Sequence, residues 1–282
     1  NASPVILPIK YLADCTLNWS DNERLIGQGV FGKVYHAVDG KREIEFVVKR
    51  MNVSTLQQFA GEDRDANEVG KQMQEREIAT LIRFSSNQYI VNLVAYTDIS
   101  EGICLCYEYC KEGSLDKLLL DDNKAKQLTW KHRVRILNGM VKAINFLHNN
   151  PTQRCYHRDV KAANICITNT FAPKLIDCGL AKFIPEGENR TVLTASNGRP
   201  GTPGYKCPKY ESSGKFNDKS EMFSFGIVLL EVLTGCIQNR TERGDLYYRF
   251  FNPDPDDREE DLNNAFDAKA TGNGKWPIEL KK

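Results

Sequence analysis

Three glycines near the start of the chain limit its fold more than any other feature. Gly27, Gly29 and Gly32 stand in the spacing GxGxxG within Leu25-Ile-Gly-Gln-Gly-Val-Phe-Gly-Lys-Val34. Lacking Cβ atoms, such glycines let backbone amides come close to phosphate oxygens. Dinucleotide-binding folds use the same spacing, but there a helix follows directly and an acidic residue comes further on. Here residues 33–38 read as a strand, Asp39-Gly40 as a turn, and the run ending at Lys49 as a second strand. A glycine corner between two strands excludes the dinucleotide-binding arrangement.

The remainder divides in character. Residues 103–109 are also β-rich, and between the strands residues 67–84 carry Met73, Glu77, Leu81 and Phe84 at helical spacing. After Gly113 the pattern turns helical. Residues 130–148 place Val134, Leu137, Val141, Ile144 and Leu147 on one face, and residues 220–233 are apolar nearly all round, which predicts a central helix. The expected fold is α+β in two lobes: an N-terminal extension over 1–20, a small β-rich lobe over 21–109 and a larger, mainly helical lobe over 110–282.

Composition excludes several classes of function. A net charge of +1 argues against a nucleic-acid binder. Nine cysteines without a CxxC pair, beside four histidines, argue against zinc and for a reducing compartment. No apolar segment is long enough to cross a bilayer, and residues 1–10 lack the pattern of a signal peptide. The Asn-x-Ser/Thr triplets at Asn18, Asn52, Asn189 and Asn239 read as chance, and the acidic stretch 252–261 as a solvated loop.

Lys49 ends its strand where a lysine needs a carboxylate partner to be more than a solvated charge. Glu77 on the following helix is the first choice and Glu75 the alternative, facing a different side. The segment Tyr156-His157-Arg158-Asp159-Val160-Lys161-Ala162-Ala163-Asn164 resembles the catalytic loop of protein kinases at every functional position. Leu175-Ile176-Asp177-Cys178-Gly179 stands where that family has its metal-binding DFG motif. The likeness covers roughly residues 9–282. It is strongest to the tyrosine-kinase-like group, in particular plant receptor-like kinases and Pelle/interleukin-1-receptor-associated kinases.

The resemblance implies a role for each residue. Asp159 orients the attacking hydroxyl and accepts its proton, and Lys161 offsets charge on the transferred phosphoryl group. Asn164 and Asp177 bind Mg2+, while Lys49, paired with Glu77, holds the α- and β-phosphates of ATP. Gly27, Gly29 and Gly32 cover the phosphates. Val34, Val47 and Cys166 sandwich the adenine, Tyr107 is the gatekeeper, and Glu108, Tyr109 and Cys110 present backbone groups to the base. The implied activity is a serine/threonine protein kinase with protein substrates, working in the cytoplasm or as the intracellular part of a receptor. Arg158 would pair with an activation-loop phosphate at Thr191, Thr194 or Ser196, added by self-association and trans-autophosphorylation. Thr202 reads as a structural contact at the substrate site.

The chain also departs from this family. Cys178 replaces a phenylalanine, at a cost of about 1–3 kcal/mol of apolar packing. Val47 replaces an alanine, Cys207-Pro208-Lys209 replaces Ala-Pro-Glu, and Glu221 replaces an aspartate. No segment resembling the family's last helices follows Trp276-Pro277. These departures carry the alternative reading, a nucleotide-binding pseudokinase scaffold.

Overall fold

Why the glycine corner can exist is visible in how the first strands pair. In the computed structural model, which describes residues 3–29, 32–52, 65–184, 193–194, 199–238, 246, 250 and 265–271, β2 (Leu25–Gly29) and β3 (Gly32–Asp39) run antiparallel, and β3 pairs in turn with β4 (Ile44–Met51). At Gly32 a Cβ would lie 2.1 Å from the Arg50 carbonyl oxygen, so the position admits glycine only. Gly29 has nothing within 4 Å of such a Cβ, so packing alone does not require glycine there.

The chain separates into two compact units, Asn1–Tyr109 and Cys110–Lys282. The first is built on a six-stranded sheet. A short strand β1 (Val5–Ile6) forms one edge, and β5 (Leu93–Tyr96) and β6 (Cys104–Glu108) lie between it and β4. Period-two alternation sorts the side chains. Ala37, Phe46, Val48, Ala95, Cys104 and Cys106 share one face, where they pack with Leu12 and Cys15 of helix α1 (Ile9–Cys15). Residues 5–15, within the segment expected as an extension, thus contribute an edge strand and a core helix to this unit. The cross-strand pairs Val34–Lys49, His36–Val47 and Val47–Tyr107 share the opposite face. Helix α2 (Ala66–Phe84) packs Val69 and Met73 against Met51 and Ile103.

The second unit is mainly helical: α3 (Leu115–Leu120), α4 (Asp122–Gln127), α5 (Trp130–Asn149), α6 (Pro208–Ser213) and α7 (Asp218–Thr234). Asn217 and Ser220 close a reciprocal capping box at the start of α7, and Gly235 ends it in the left-handed region at φ 70°. Ten residues of α7 are buried, in keeping with a central helix, although Met222 and Leu229 reach solvent.

The periodicity of α5 misleads in one respect. Val141 is 46% exposed, and the buried stripe runs instead through Arg133, Ile136, Met140, Ala143, Ile144 and Leu147. Apolar periodicity finds only the Ile144 and Leu147 end of this face because an arginine opens it. The guanidinium of Arg133 is buried but bonded throughout: to the Leu128 carbonyl at 2.9 Å, the Val232 carbonyl at 2.7 Å and Asp267 Oδ2 at 2.6 Å. Short ladders complete the unit: β7 (Gly113–Ser114) with β9 (Ile165–Ile167) and β10 (Pro173–Leu175), β8 (Cys155–Tyr156) with β11 (Lys182–Phe183), and β12 (Leu193–Thr194) with β13 (Lys215–Phe216).

Candidate active site

In the first unit the sheet face opposite α1 presents Val34, Val47, Lys49 and Tyr107 together. Helix α2 sets Glu77 against them. Lys49 Nζ donates to Glu77 Oε2 at 3.1 Å, and Tyr107 Oη donates to Glu77 Oε1 at 2.7 Å. Glu77 is fully buried, whereas Glu75 is exposed. The helix turn thus selects Glu77 between the two carboxylates. Its burial is supported by a hydrogen bond on each oxygen, as a charge in a core requires. The bond from Tyr107 has no signature in sequence: the two residues are 30 positions apart.

At the end of β6, the Glu108 N–H donates to the Asn92 carbonyl at 3.1 Å, and its carboxylate accepts from Asn92 N at 2.8 Å. Tyr109 stacks on His36 with ring centroids 4.3 Å apart. Cys110 opens the second unit, and its carbonyl accepts from Gly113 N at 3.0 Å. Hydrogen bonding toward the Cys110 thiol, with burial, holds the Cys166 thiol well above the usual range.

The second unit gathers the polar residues of the loop 156–164. Thr202 Oγ1 donates to Asp159 Oδ1 at 2.6 Å; Asn164 Nδ2 donates to Asp159 Oδ2 at 2.9 Å; Lys161 Nζ lies 2.8 Å from the same oxygen. Lys161 also donates to Thr202 Oγ1 at 2.7 Å. His157 donates through Nε2 to the Ile176 carbonyl at 2.9 Å and accepts the Asp159 N–H at Nδ1, which sets its tautomer. The Ile176 N–H donates to the Asn164 carbonyl at 2.9 Å, so the residue before Asp177 is tied to the loop. Arg158 and Asp177 both lie in the left-handed region, at φ 70° and 62°. Each such residue stores about 1–3 kcal/mol of strain that its surroundings must offset.

Glu221 supplies part of that offset. It accepts the Arg158 N–H on Oε1 and faces His148 Nε2 with Oε2, each at 2.5 Å. Burial works to raise its pKa, but the His148 hydrogen bond, the electrostatic pull of the two nearby histidines and the Arg158 N–H outweigh it and hold the carboxyl below its ordinary range. His148 escaped the sequence reading: it lies 73 positions from Glu221, and only the packing of α5 on α7 joins them. Glu231, also on α7, behaves in the opposite way. Burial pushes its carboxyl up to about 7, although Tyr205 Oη and the Gln238 N–H both donate to it.

Lys209 is exposed on α6, and Cys178 is buried. Of the expected phosphosites, Thr191 and Ser196 fall outside the described residues, as do Asn252–Asp261 and Trp276-Pro277; Thr194 contributes backbone to β12, opposite Lys215.

Comparison with known proteins gives this geometry a context. The sequence profile described as protein kinase domain matches residues 20–253. Cysteine-rich receptor-like protein kinase 6 of Oryza sativa subsp. japonica is 34% identical over 233 residues, covering 82% of this chain and 31% of that protein. Cysteine-rich receptor-like protein kinase 29 of Arabidopsis thaliana is 32% identical over 239 residues, 85% of this chain and 33% of that protein. A G-type lectin S-receptor-like serine/threonine-protein kinase of Arabidopsis thaliana is 35% identical over 234 residues, 82% of this chain and 26% of that protein. The chain therefore spans about a third or less of the length of these relatives.

Proposed function

Because this chain belongs to the protein kinase domain family, we propose that it transfers the γ-phosphate of ATP to serine or threonine hydroxyls of proteins. The arrangement around Asp159 carries the reading. One carboxylate oxygen already accepts a hydroxyl, from Thr202, while Lys161 and Asn164 hold the other. A carboxylate so oriented can take the proton of an attacking hydroxyl as that oxygen bonds to phosphorus and the bond to ADP breaks. Lys161, 2.7 Å from Thr202 Oγ1 and 2.8 Å from Asp159 Oδ2, offsets charge on the moving phosphoryl group.

The residues fit a nucleotide and a hard cation. Asn164 spends its amide nitrogen on Asp159, which leaves oxygen as its donor; with the Asp177 carboxylate this is the chemistry that Mg2+ prefers. When bound, Mg-ATP supplies the transferable phosphoryl group and neutralises charge on its oxygens. Lys49, fixed by Glu77, would hold the α- and β-phosphates. Gly27 and Gly29 would admit phosphate close to the backbone, Gly29 having open space where a side chain would stand. Val34, Val47 and Cys166 would flank the adenine, and Tyr107 would guard the space behind it. The Glu108 N–H is committed to Asn92, so the base would meet the other backbone groups of 108–110.

Labelled ATP with magnesium tests the reading, with the chain itself and a basic protein as acceptors. Incorporation into serine or threonine that disappears in Asp159→Asn is the expected result. A folded sample that binds ATP and transfers nothing would point instead to a nucleotide-binding scaffold, the reading favoured by Cys178 and Lys209.

We also propose that phosphorylation at Thr191, Thr194 or Ser196, by a second copy of the chain, raises activity by pairing with Arg158. Equal activity of the wild type and the triple alanine variant would exclude this. The receptor-like names of the relatives support a place on the cytoplasmic side of a membrane. Among the described residues no helix is long and apolar enough to cross one.

A further inference from the structure

On the turn that Thr202 ties to Asp159, the fold fixes a cation that phosphoryl transfer does not use. From it we infer that Lys206 directs the enzyme to hydroxyls with an acidic side chain close by in the substrate sequence; this rests on the transfer reading above. Thr202, bonded to Asp159, begins a tight turn that closes when the Tyr205 N–H donates to the Thr202 carbonyl at 3.1 Å. Tyr205 is pinned at both ends: its hydroxyl donates to Glu231 Oε1 at 2.5 Å, and its carbonyl accepts from Ser224 Oγ at 2.7 Å. Lys206 leaves this anchored turn, so its position relative to Asp159 is set by hydrogen bonds.

The lysine stem is set as well. A Cβ placed on Gly201 would lie 3.1 Å from the Arg158 carbonyl oxygen and 3.1 Å from Lys206 Cγ. The side chain therefore runs along the junction between the loop 156–164 and the 199–206 segment, only 17% exposed. Its charge is met by Glu211 at 3.1 Å, on a side chain 46% exposed. With Glu211 nearly half exposed, such a pair contributes little net stability. A substrate carboxylate can replace Glu211, whereas a substrate lysine or arginine would meet Lys206 and Lys161 with like charge. Arg199 and Lys209, both exposed on flanking positions, add to the same sign.

The experiment compares peptides with one serine in a neutral background, carrying Glu, Ala or Lys in turn at each of the three positions on either side. At one or more positions the wild type is expected to use Glu over Lys by about tenfold in kcat/KM. Lys206→Glu should invert the order there, and Lys206→Met should flatten it while keeping the apolar stem against Gly201. Thermal melting of both variants checks their folding. An order unchanged in a folded, active Lys206→Glu overturns the inference and leaves the transfer reading intact. If no peptide is phosphorylated, the transfer reading has failed. Direct binding of the same peptides then decides the role of Lys206: acidic peptides released by Lys206→Glu support it, and equal binding overturns it.

Discussion

Tyr107 Oη donates to Glu77 Oε1 at 2.7 Å while Lys49 holds the other carboxylate oxygen, so one buried acid joins β4, β6 and α2. The sheet alone sets Lys49 and Tyr107 on one face; Glu77 ties the helix to both.

Tyr107→Phe keeps the ring and removes that donor. Leaving a buried carboxylate oxygen short of a partner costs about 1–3 kcal/mol. The urea midpoint of the variant should fall accordingly, with the slope unchanged. A midpoint equal to the wild type would show that α2 is held without this bond.

The glycines of the β2–β3 corner should separate by cause. Gly32→Ala forces a Cβ onto the Arg50 carbonyl and should destabilise by about 2–4 kcal/mol. Gly29→Ala meets open space and should melt near the wild type, yet bind ATP more weakly if phosphate lies against that backbone. Equal melting of the two variants would contradict the geometry at Gly32, and unchanged ATP affinity of Gly29→Ala would remove the phosphate contact.

Stability should depend on pH through Glu231. Its folded pKa, about 7, is raised by burial above the ordinary 4.5, so the folded state binds the proton more tightly than the unfolded chain. The contribution is therefore fully present below about 4.5 and is lost as pH rises through 7, on the order of 3 kcal/mol in all. Glu231→Gln carries no such proton. The gap in stability between variant and wild type should shift in favour of the variant from pH 5 to pH 8. A gap that stays constant over that interval would place the carboxyl at its ordinary pKa. Glu221 acts with the opposite sign: its depressed pKa stabilises the fold above the carboxylate range and the benefit is lost as pH falls below it.

Asp267 is the charged partner of the buried Arg133. Removing one member of a buried pair costs about 3–5 kcal/mol. Asp267→Ala should lose that much by chemical denaturation, whereas Lys269→Ala, which breaks an exposed pair with Asp122, should lose under about 1 kcal/mol. Similar losses would mean that Arg133 finds another acceptor.

Much of this protein could be read from residue order because the relevant chemistry is local. Alternation from 33 to 49 separates strand from helix after the glycines, and a nine-residue segment holds Asp159, Lys161 and Asn164 within one loop. Such signals need only neighbours in the chain. What the sequence left open was decided by contacts between distant segments. Glu77 prevails over Glu75 because α2 turns only one of them toward Lys49. Arg133 is tolerated in the core because Asp267, 134 positions away, meets it there. Glu221 stays charged because His148 lies beside it once α5 packs on α7. A buried charge persists only with a partner at hydrogen-bond distance, and that distance is a property of the folded chain.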